Sequence, residues 1–385
     1  MFSNRLPPHQ ETNALSRAVD DMRARGVPFV DLTDSNPTAA GFDYPRTLLA
    51  PLAHPRALAY EPHPLGARSA REAIAADGLR RGATIDPGSI VLSASTSEAY
   101  SWLFKLLCDP GDCVLVPRPS YPLFEHLTRL ESVRTSPYDL DYHARWEIDF
   151  TGMTNAPPRT KAVLLVSPNN PTGSYASAAE LERLTGICRD RGWALIVDEV
   201  FADYPLDESA PLTDLATRLD VLTFTLAGAS KSLGLPQVKL GWVIVGGPDA
   251  DRRAALGALE VVADTFLSVG TPVQTSASEL LSAGADVRRA IHERIRANLR
   301  HARRLAGGFP ASEVLRVEGG WSVVLRVPSR GGEEQLVLDL LERERVFVHP
   351  GYFFDFTRES YLVASLLPPE DTFAGAMARV LRAAS

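Results

Sequence analysis

Leu226-Ala227-Gly228-Ala229-Ser230-Lys231-Ser232-Leu233-Gly234-Leu235-Pro236-Gln237-Val238-Lys239-Leu240-Gly241-Trp242 is a loop rich in Gly, Ser and Pro between two apolar runs. Upstream, Val221-Leu222-Thr223-Phe224-Thr225 is apolar and β-branched, and too short for a helix. Downstream, Leu240-Gly241-Trp242-Val243-Ile244-Val245 has the same character. Both read as buried strands. The loop carries two lysines, Lys231 and Lys239. A lysine leaving a buried strand is partly stripped of water. That lowers its pKa and leaves the amine nucleophilic, which is the condition a Schiff-base lysine needs. Most lysines near strand ends are simply solvated, so the assignment depends on the rest of the chain.

Further apolar runs lie upstream: Ile90-Val91-Leu92, Cys113-Val114-Leu115-Val116, Ala162-Val163-Leu164-Leu165-Val166 and Trp193-Ala194-Leu195-Ile196-Val197. Helical patterns over 97–107, 123–130 and 178–191 separate them, and a helix over 67–81 precedes them and stops at Gly82. Continuous apolar strands alternating with amphipathic helices predict an α/β fold, with a mostly parallel sheet covered by helices on both faces. A ligand in such a sheet lies beyond the carboxyl ends of the strands. The N-terminal region predicts a helix over 10–25 through Leu15, Val19 and Met22, then a proline-rich arm over 28–65 that contains Asp34-Ser35-Asn36-Pro37-Thr38. After about residue 272 a charged helical stretch over 273–306 leads to a strand over 321–327 and a helix near 334–344. Short strands follow at 346–348 and 361–366, with a terminal helix from about 370. The expected division is an arm and part of a small domain over 1–48, a large domain over 49–272, and a smaller α+β domain over 273–385.

The chain has 385 residues, enough for more than one core. With 45% hydrophobic and 23% charged residues its composition is that of an ordinary globular protein. A net charge of −7 argues against a nucleic-acid binder, and the basic run from Arg288 to Arg304 reads as solvated helix faces. Cys108, Cys113 and Cys188 show no paired metal-ligand spacing and no disulfide framework. No apolar run approaches the ~18–20 residues of a membrane span. Met1-Phe2-Ser3-Asn4-Arg5-Leu6-Pro7-Pro8 lacks a signal-peptide core. The expectation is a cytoplasmic protein with no metal, no membrane and no nucleic-acid partner.

Three more stretches carry polar groups at strand ends. Ser93-Ala94-Ser95-Thr96-Ser97-Glu98-Ala99 ends a strand and opens a helix, an arrangement suited to a phosphate, although an ordinary helix cap would look the same. Ser167-Pro168-Asn169-Asn170-Pro171-Thr172-Gly173 fixes an asparagine amide after a buried strand. Val197-Asp198-Glu199-Val200 puts an acid at a strand end, where a buried carboxylate needs a cation or strong donors. Phosphate cradle, amide, carboxylate and amine together are what holding pyridoxal phosphate requires. The lysine is then the imine partner, and Asp198 keeps the ring nitrogen protonated.

On these residues the chain resembles the fold-type I pyridoxal-phosphate enzymes of the class I/II aminotransferase family, over nearly its whole length and most strongly from 60 to 245. The resemblance implies an aspartate-aminotransferase-like fold. It implies transfer of an amino group from an amino acid to a 2-oxo acid. It also implies a homodimer with shared active sites. Lys231 matches the Schiff-base lysine that follows Ser230, and Lys239 stands where the family usually has a phosphate-binding arginine. Asp198 matches the acid opposite the ring nitrogen and Asn170 the amide that reaches the ring oxygen. Ser95, Thr96 and Ser97 fall on the phosphate loop. Tyr121, in Pro119-Ser120-Tyr121-Pro122, matches the aromatic that stacks on the ring, and Tyr60 the tyrosine that reaches the partner subunit's phosphate. Phe201 stands where the family often has a tyrosine. Val363 stands where the family usually offers an arginine to the substrate carboxylate, which leaves Arg358, Asn36 and Asn170 as the donors expected there. If the substrate has no carboxylate, Tyr352-Phe353-Phe354 after His349-Pro350-Gly351 would form an apolar lid, or else belong to the small-domain core. A lyase or cyclase on the same scaffold, and a non-catalytic cofactor-binding module, are the alternative functions.

Overall fold

The computed structural model describes residues 2–6, 13–207, 220–328, 331–358 and 360–385. An eight-stranded sheet forms its largest layer. Its strands lie in the order Ile90–Ser93, Gly241–Gly246, Thr223–Gly228, Ala194–Asp198, Thr160–Val166, Cys113–Arg118, Arg134–Tyr142 and Trp146–Ile148. From Thr223–Gly228 to Arg134–Tyr142 neighbouring strands are parallel. Gly241–Gly246 runs antiparallel to both of its neighbours, and Trp146–Ile148 is an antiparallel edge. The central strands are continuous apolar runs because both faces are covered. Val163, Leu165, Leu195 and Val197 belong to one apolar cluster, while the alternating Ala162, Leu164, Val166 and Ile196 belong to another.

The helix Ala178–Arg191 begins at a full capping box, with Ser177 and Glu180 satisfying each other's end of the first turn, and stops at Gly192 with φ 66°. Arg68–Gly78 continues as a tighter turn to Arg81 and stops at Gly82 with φ 77°. Among the elements with no counterpart in the sequence expectations are the strands Arg134–Tyr142 and Trp146–Ile148 and the helix Asp249–Phe266.

A second, four-stranded antiparallel sheet orders Glu313–Val314, Ser322–Arg326, Tyr361–Ser365 and His349–Pro350. The stretch expected as one helix over 273–306 is broken at Ser276 and Gly284 into Thr271–Thr275, Ala277–Ala283 and Ala285–Ala306. Its basic run is not wholly solvated: Arg288 is buried, within 4.0 Å of Asp77 and Asp203. The N-terminal helix runs Ala14–Ala24, capped by Asn13, and residues 10–12 of its expected span lie outside the described residues. The arm that follows contains a strand, Val30–Asp31, paired in parallel with Val346–Phe347, so the first residues join the C-terminal part of the molecule. Among the described residues no helix is long and apolar enough to cross a membrane.

Candidate active site

A cavity of about 340 Å³ opens beyond the carboxyl ends of the parallel strands. Asp198 ends one strand, and Lys231 follows Gly228, the end of its neighbour; Asp198 is in register with Leu226. Both side chains line the cavity, with Asn170, Phe201 and Tyr121. Ser95, Thr96, Ser97, Ser230 and Lys239 line it too. Three expected residues do not lie on its wall. Tyr60 is 72% exposed, on a crevice shared with Leu267. Arg358 is exposed. Asn36 is exposed, and its Oδ1 accepts from the backbone N–H and hydroxyl of Thr38, while Thr33 and Ser35 of the same segment reach the cavity instead.

The strand Thr223–Gly228 passes directly into the short helix Ala229–Ser232, which turns Lys231 into the cavity. Its Nζ lies 4.9 Å from the Trp321 ring centroid and 5.6 Å from that of Phe201. Burial lowers the amine to about 8, although Asp198 and Asp34 pull the other way. The Tyr204 hydroxyl donates to the backbone carbonyl of Lys231 at 2.6 Å and fixes the main chain beneath the amine. Asp198 accepts from the Tyr100 hydroxyl at 2.7 Å and from the Val200 N–H at 3.0 Å. Burial raises its carboxyl above the usual range, while those donors and Lys231 oppose the rise. The segment after Asp198 is clamped by ion pairs, Glu199 with Arg81 at 3.2 Å and Asp203 with Arg80 at 2.6 Å.

At the other end, Ser95 caps the helix Thr96–Leu107 by accepting from the Glu98 N–H at 3.1 Å, while the Glu98 carboxylate accepts from the Ala94 N–H at 2.7 Å. Gly241 allows the return strand to lie against this turn: a Cβ there would sit 2.9 Å from the Ser95 carbonyl carbon and 3.1 Å from the Thr96 nitrogen. Lys239 lines the same cavity from a left-handed backbone conformation, φ 57°. A helix N-terminus beside a lysine and three hydroxyl-bearing residues suits a phosphate. A buried carboxylate whose observed hydrogen bonds come from neutral donors suits a protonated ring nitrogen, and a desolvated amine suits a carbonyl carbon. The residues present therefore fit pyridoxal phosphate. No group of His, Cys, Asp and Glu among the described residues suits a metal ion.

Several lining residues escaped the sequence reading: Tyr100, Thr33, Ser35, Trp321, Ser322 and Ser365. Tyr100 sits one helical turn past Thr96, in a position that looks like core, and is buried. Trp321 and Ser322 follow Gly319-Gly320, where Gly320 adopts φ 87°; that glycine pair was the available signal. Val363 lines the cavity, and among the described residues no arginine does. The aromatic group divides. Phe354 is buried on the cavity wall, whereas Tyr352 is 41% exposed and donates to Glu334.

The family model described as "Aminotransferase class I and II" matches residues 52–369. A Haemophilus influenzae protein named glutamate-pyruvate aminotransferase AlaA is 26% identical, over 99% of this chain and 95% of its own. A Mycobacterium bovis alanine aminotransferase is 26% identical over 99% of this chain and 89% of its own. Among solved structures, a Pyrococcus furiosus alanine aminotransferase superimposes with TM-score 0.86 at 23% identity, covering 99% of both chains. An Escherichia coli aminotransferase gives TM-score 0.85 at 24% identity over 98% of both.

Proposed function

As a member of the class I and II aminotransferase family, the chain is a pyridoxal-phosphate-dependent enzyme that moves an amino group between an amino acid and a 2-oxo acid, and we propose that Lys231 is its catalytic base and cofactor anchor. The observation that carries this is the pairing of Lys231 and Asp198 at the ends of adjacent parallel strands, inside one cavity. When bound, pyridoxal phosphate supplies an electron sink for the negative charge left when the substrate α-carbon loses a proton. Asp198 would hold the ring nitrogen of the bound cofactor in its protonated form. Its carboxylate is oriented for this by Tyr100 and Val200. The Lys231 Nζ would take the α-proton and deliver it across the intervening nitrogen to the cofactor's C4′ carbon. An amine near 8 is basic enough to accept that proton and weak enough to give it back. Ser95, Thr96, Ser97, Ser230 and Lys239 would hold the cofactor's phosphate, Tyr121 would cover its ring and Asn170 would serve its ring oxygen; all of them line the cavity. Trp321 and Phe201 keep water from the amine.

The relatives reported above bear the names of aminotransferases, not of lyases or cyclases. Glutamate as donor with pyruvate as acceptor, and the reverse direction from alanine to 2-oxoglutarate, are the pairs to try first. We also propose a homodimer in which Tyr60, exposed here, reaches the partner's phosphate. The test is an amino-donor screen that follows the cofactor's absorbance, together with borohydride reduction and peptide mapping. The label should fall on Lys231, and Lys231→Ala should lose both the label and transamination. A Lys231→Ala enzyme that transaminates at the wild-type rate would sink the assignment.

A further inference from the structure

We propose that His349 is the group that recognises the substrate carboxylate, a role that rests on the aminotransferase reading above. The strands His349–Pro350 and Tyr361–Ser365 are antiparallel, and His349 lies directly opposite Val363. Residues paired in this way present their side chains on the same face, and both of these line the cavity. The chain therefore carries an imidazole beside the position where valine can donate nothing.

The His349 Nδ1 is shielded from solvent and has no hydrogen-bond partner among the described residues. Its ring is flanked by Phe347, Phe353 and Phe354, with centroids 6.1, 5.4 and 5.6 Å away, and the half-buried residue meets the cavity with the remainder of its ring. A second buried donor on this wall, the Trp321 indole N–H, is also unpartnered. Two hydroxyls lie on the same wall. Ser365 Oγ accepts from the Leu367 N–H at 3.2 Å, which leaves its own proton to donate, while the Ser322 hydroxyl donates to Asn170 Oδ1 at 3.4 Å. Buried polar atoms are rarely left without partners. Two on one wall, with the free Ser365 hydroxyl proton beside them, suit an oxygen-rich anionic group.

Burial pushes the imidazole down to about 4, with Asp31 pulling the other way, so it is neutral in the free site at neutral pH. A carboxylate placed against it favours the cation. Binding should then tighten as pH falls, which an arginine would not produce. The ionisable groups around His349 are few. Asp31, on the strand Val30–Asp31, lies 3.6 Å from Arg23. Glu333, on the helix Glu333–Asp339, accepts from the N–H groups of Tyr352 and Tyr361. Lys231, Lys239, Asp198 and Tyr121 line the same cavity.

The experiment is calorimetric titration of the holoenzyme with 3-phenylpropanoate and with its neutral amide. The acid should bind roughly tenfold or more tightly than the amide, and the preference should widen as pH is lowered from about 8.5 to about 6. His349→Leu should erase it, and His349→Gln, which keeps a donor, should retain part of it. In steady-state assays His349→Leu should raise KM for the amino acid by roughly 10- to 100-fold, with a much smaller change in kcat. A wild-type enzyme with no preference for the acid, a measurement that needs no variant, would overturn the proposal. So would a preference that survives both substitutions unchanged. An enzyme that transaminates but whose preference ignores His349 refutes only this role. A His349-dependent preference in a protein that transaminates nothing refutes only the aminotransferase reading.

Discussion

At the scale of single residues, the lysine sets the pH behaviour. Its amine is lowered to about 8 by burial. Only the neutral amine attacks a carbonyl, so capture of pyridoxal phosphate by the apoenzyme should accelerate as pH rises and level off above about 8. A stopped-flow trace of the absorbance change checks this; a rate still climbing toward the ordinary 10.5 would mean a solvated lysine. Phe201 packs edge-on against Trp321 with centroids 5.4 Å apart. In Phe201→Tyr the added hydroxyl should stabilise the negative ring oxygen and lower the pKa of the bound chromophore in a spectrophotometric titration. Tyr204 does not already perform that service, because its hydroxyl is spent on the Lys231 carbonyl. The strand-end residues Asp198 and Lys231 were legible in the sequence because an apolar run ending in a charged group is a local signal. Tyr100, His349 and Trp321 were not. Each reads locally as core, and only the approach of distant segments turns it toward the cavity.

At the scale of elements, the capping box on Ala178–Arg191 does more than start a helix. The Glu180 carboxylate accepts from Ser177, from the Ile148 N–H at 2.8 Å and from Arg145 at 2.9 Å, so it also pins the edge strand Trp146–Ile148. Burial opposes its ionisation, but these donors outweigh burial and hold it below its ordinary 4.5. Its stabilising contribution is therefore present above about 4.5 and lost as pH falls through the lower folded value. Glu180→Gln should lower Tm at pH 7, and the gap from wild type should close in acid. Ser177→Ala should cost about 1 kcal/mol in denaturant titrations. The edge strands themselves were illegible for a physical reason. Arg134–Tyr142 is mostly exposed or half-buried, with Tyr138 and Leu140 its only buried positions, because it lies near the end of the sheet, where covering is incomplete. The helix Asp249–Phe266 buries only Ala255, Leu259 and Ala263, a stripe of small and medium side chains that gives a weak periodic signal.

For the whole molecule, Leu58 at 91%, Tyr60 at 72%, Val261 at 69% and Phe266 at 51% exposure are large apolar groups left in water by a single chain. A homodimer would cover such groups. Sedimentation should give twice the 41.9 kDa chain mass, and Tyr60→Phe should weaken cofactor retention without changing that mass; a monomer with full activity would refute the shared site. In the C-terminal part the strands near 321–327 and 361–366 and the terminal helix were foreseen, as was the joining of the N-terminal arm to that part; the strand Glu313–Val314 and the pairing of Val30–Asp31 with Val346–Phe347 were not, since two-residue strands carry no periodicity. The cavity walls have two different origins. The groups assigned to the cofactor ring and phosphate hang from the ends of the eight-stranded sheet and the turns beside them. Thr33 and Ser35 come from the N-terminal arm, and Ser322, His349, Val363 and Ser365 come from the four-stranded sheet. The two sets of contacts can thus diverge independently over evolutionary time. Transplanting the arm and the small sheet from one such enzyme to another should carry the choice of substrate with them and leave the vitamin-derived chemistry behind, intact in its host.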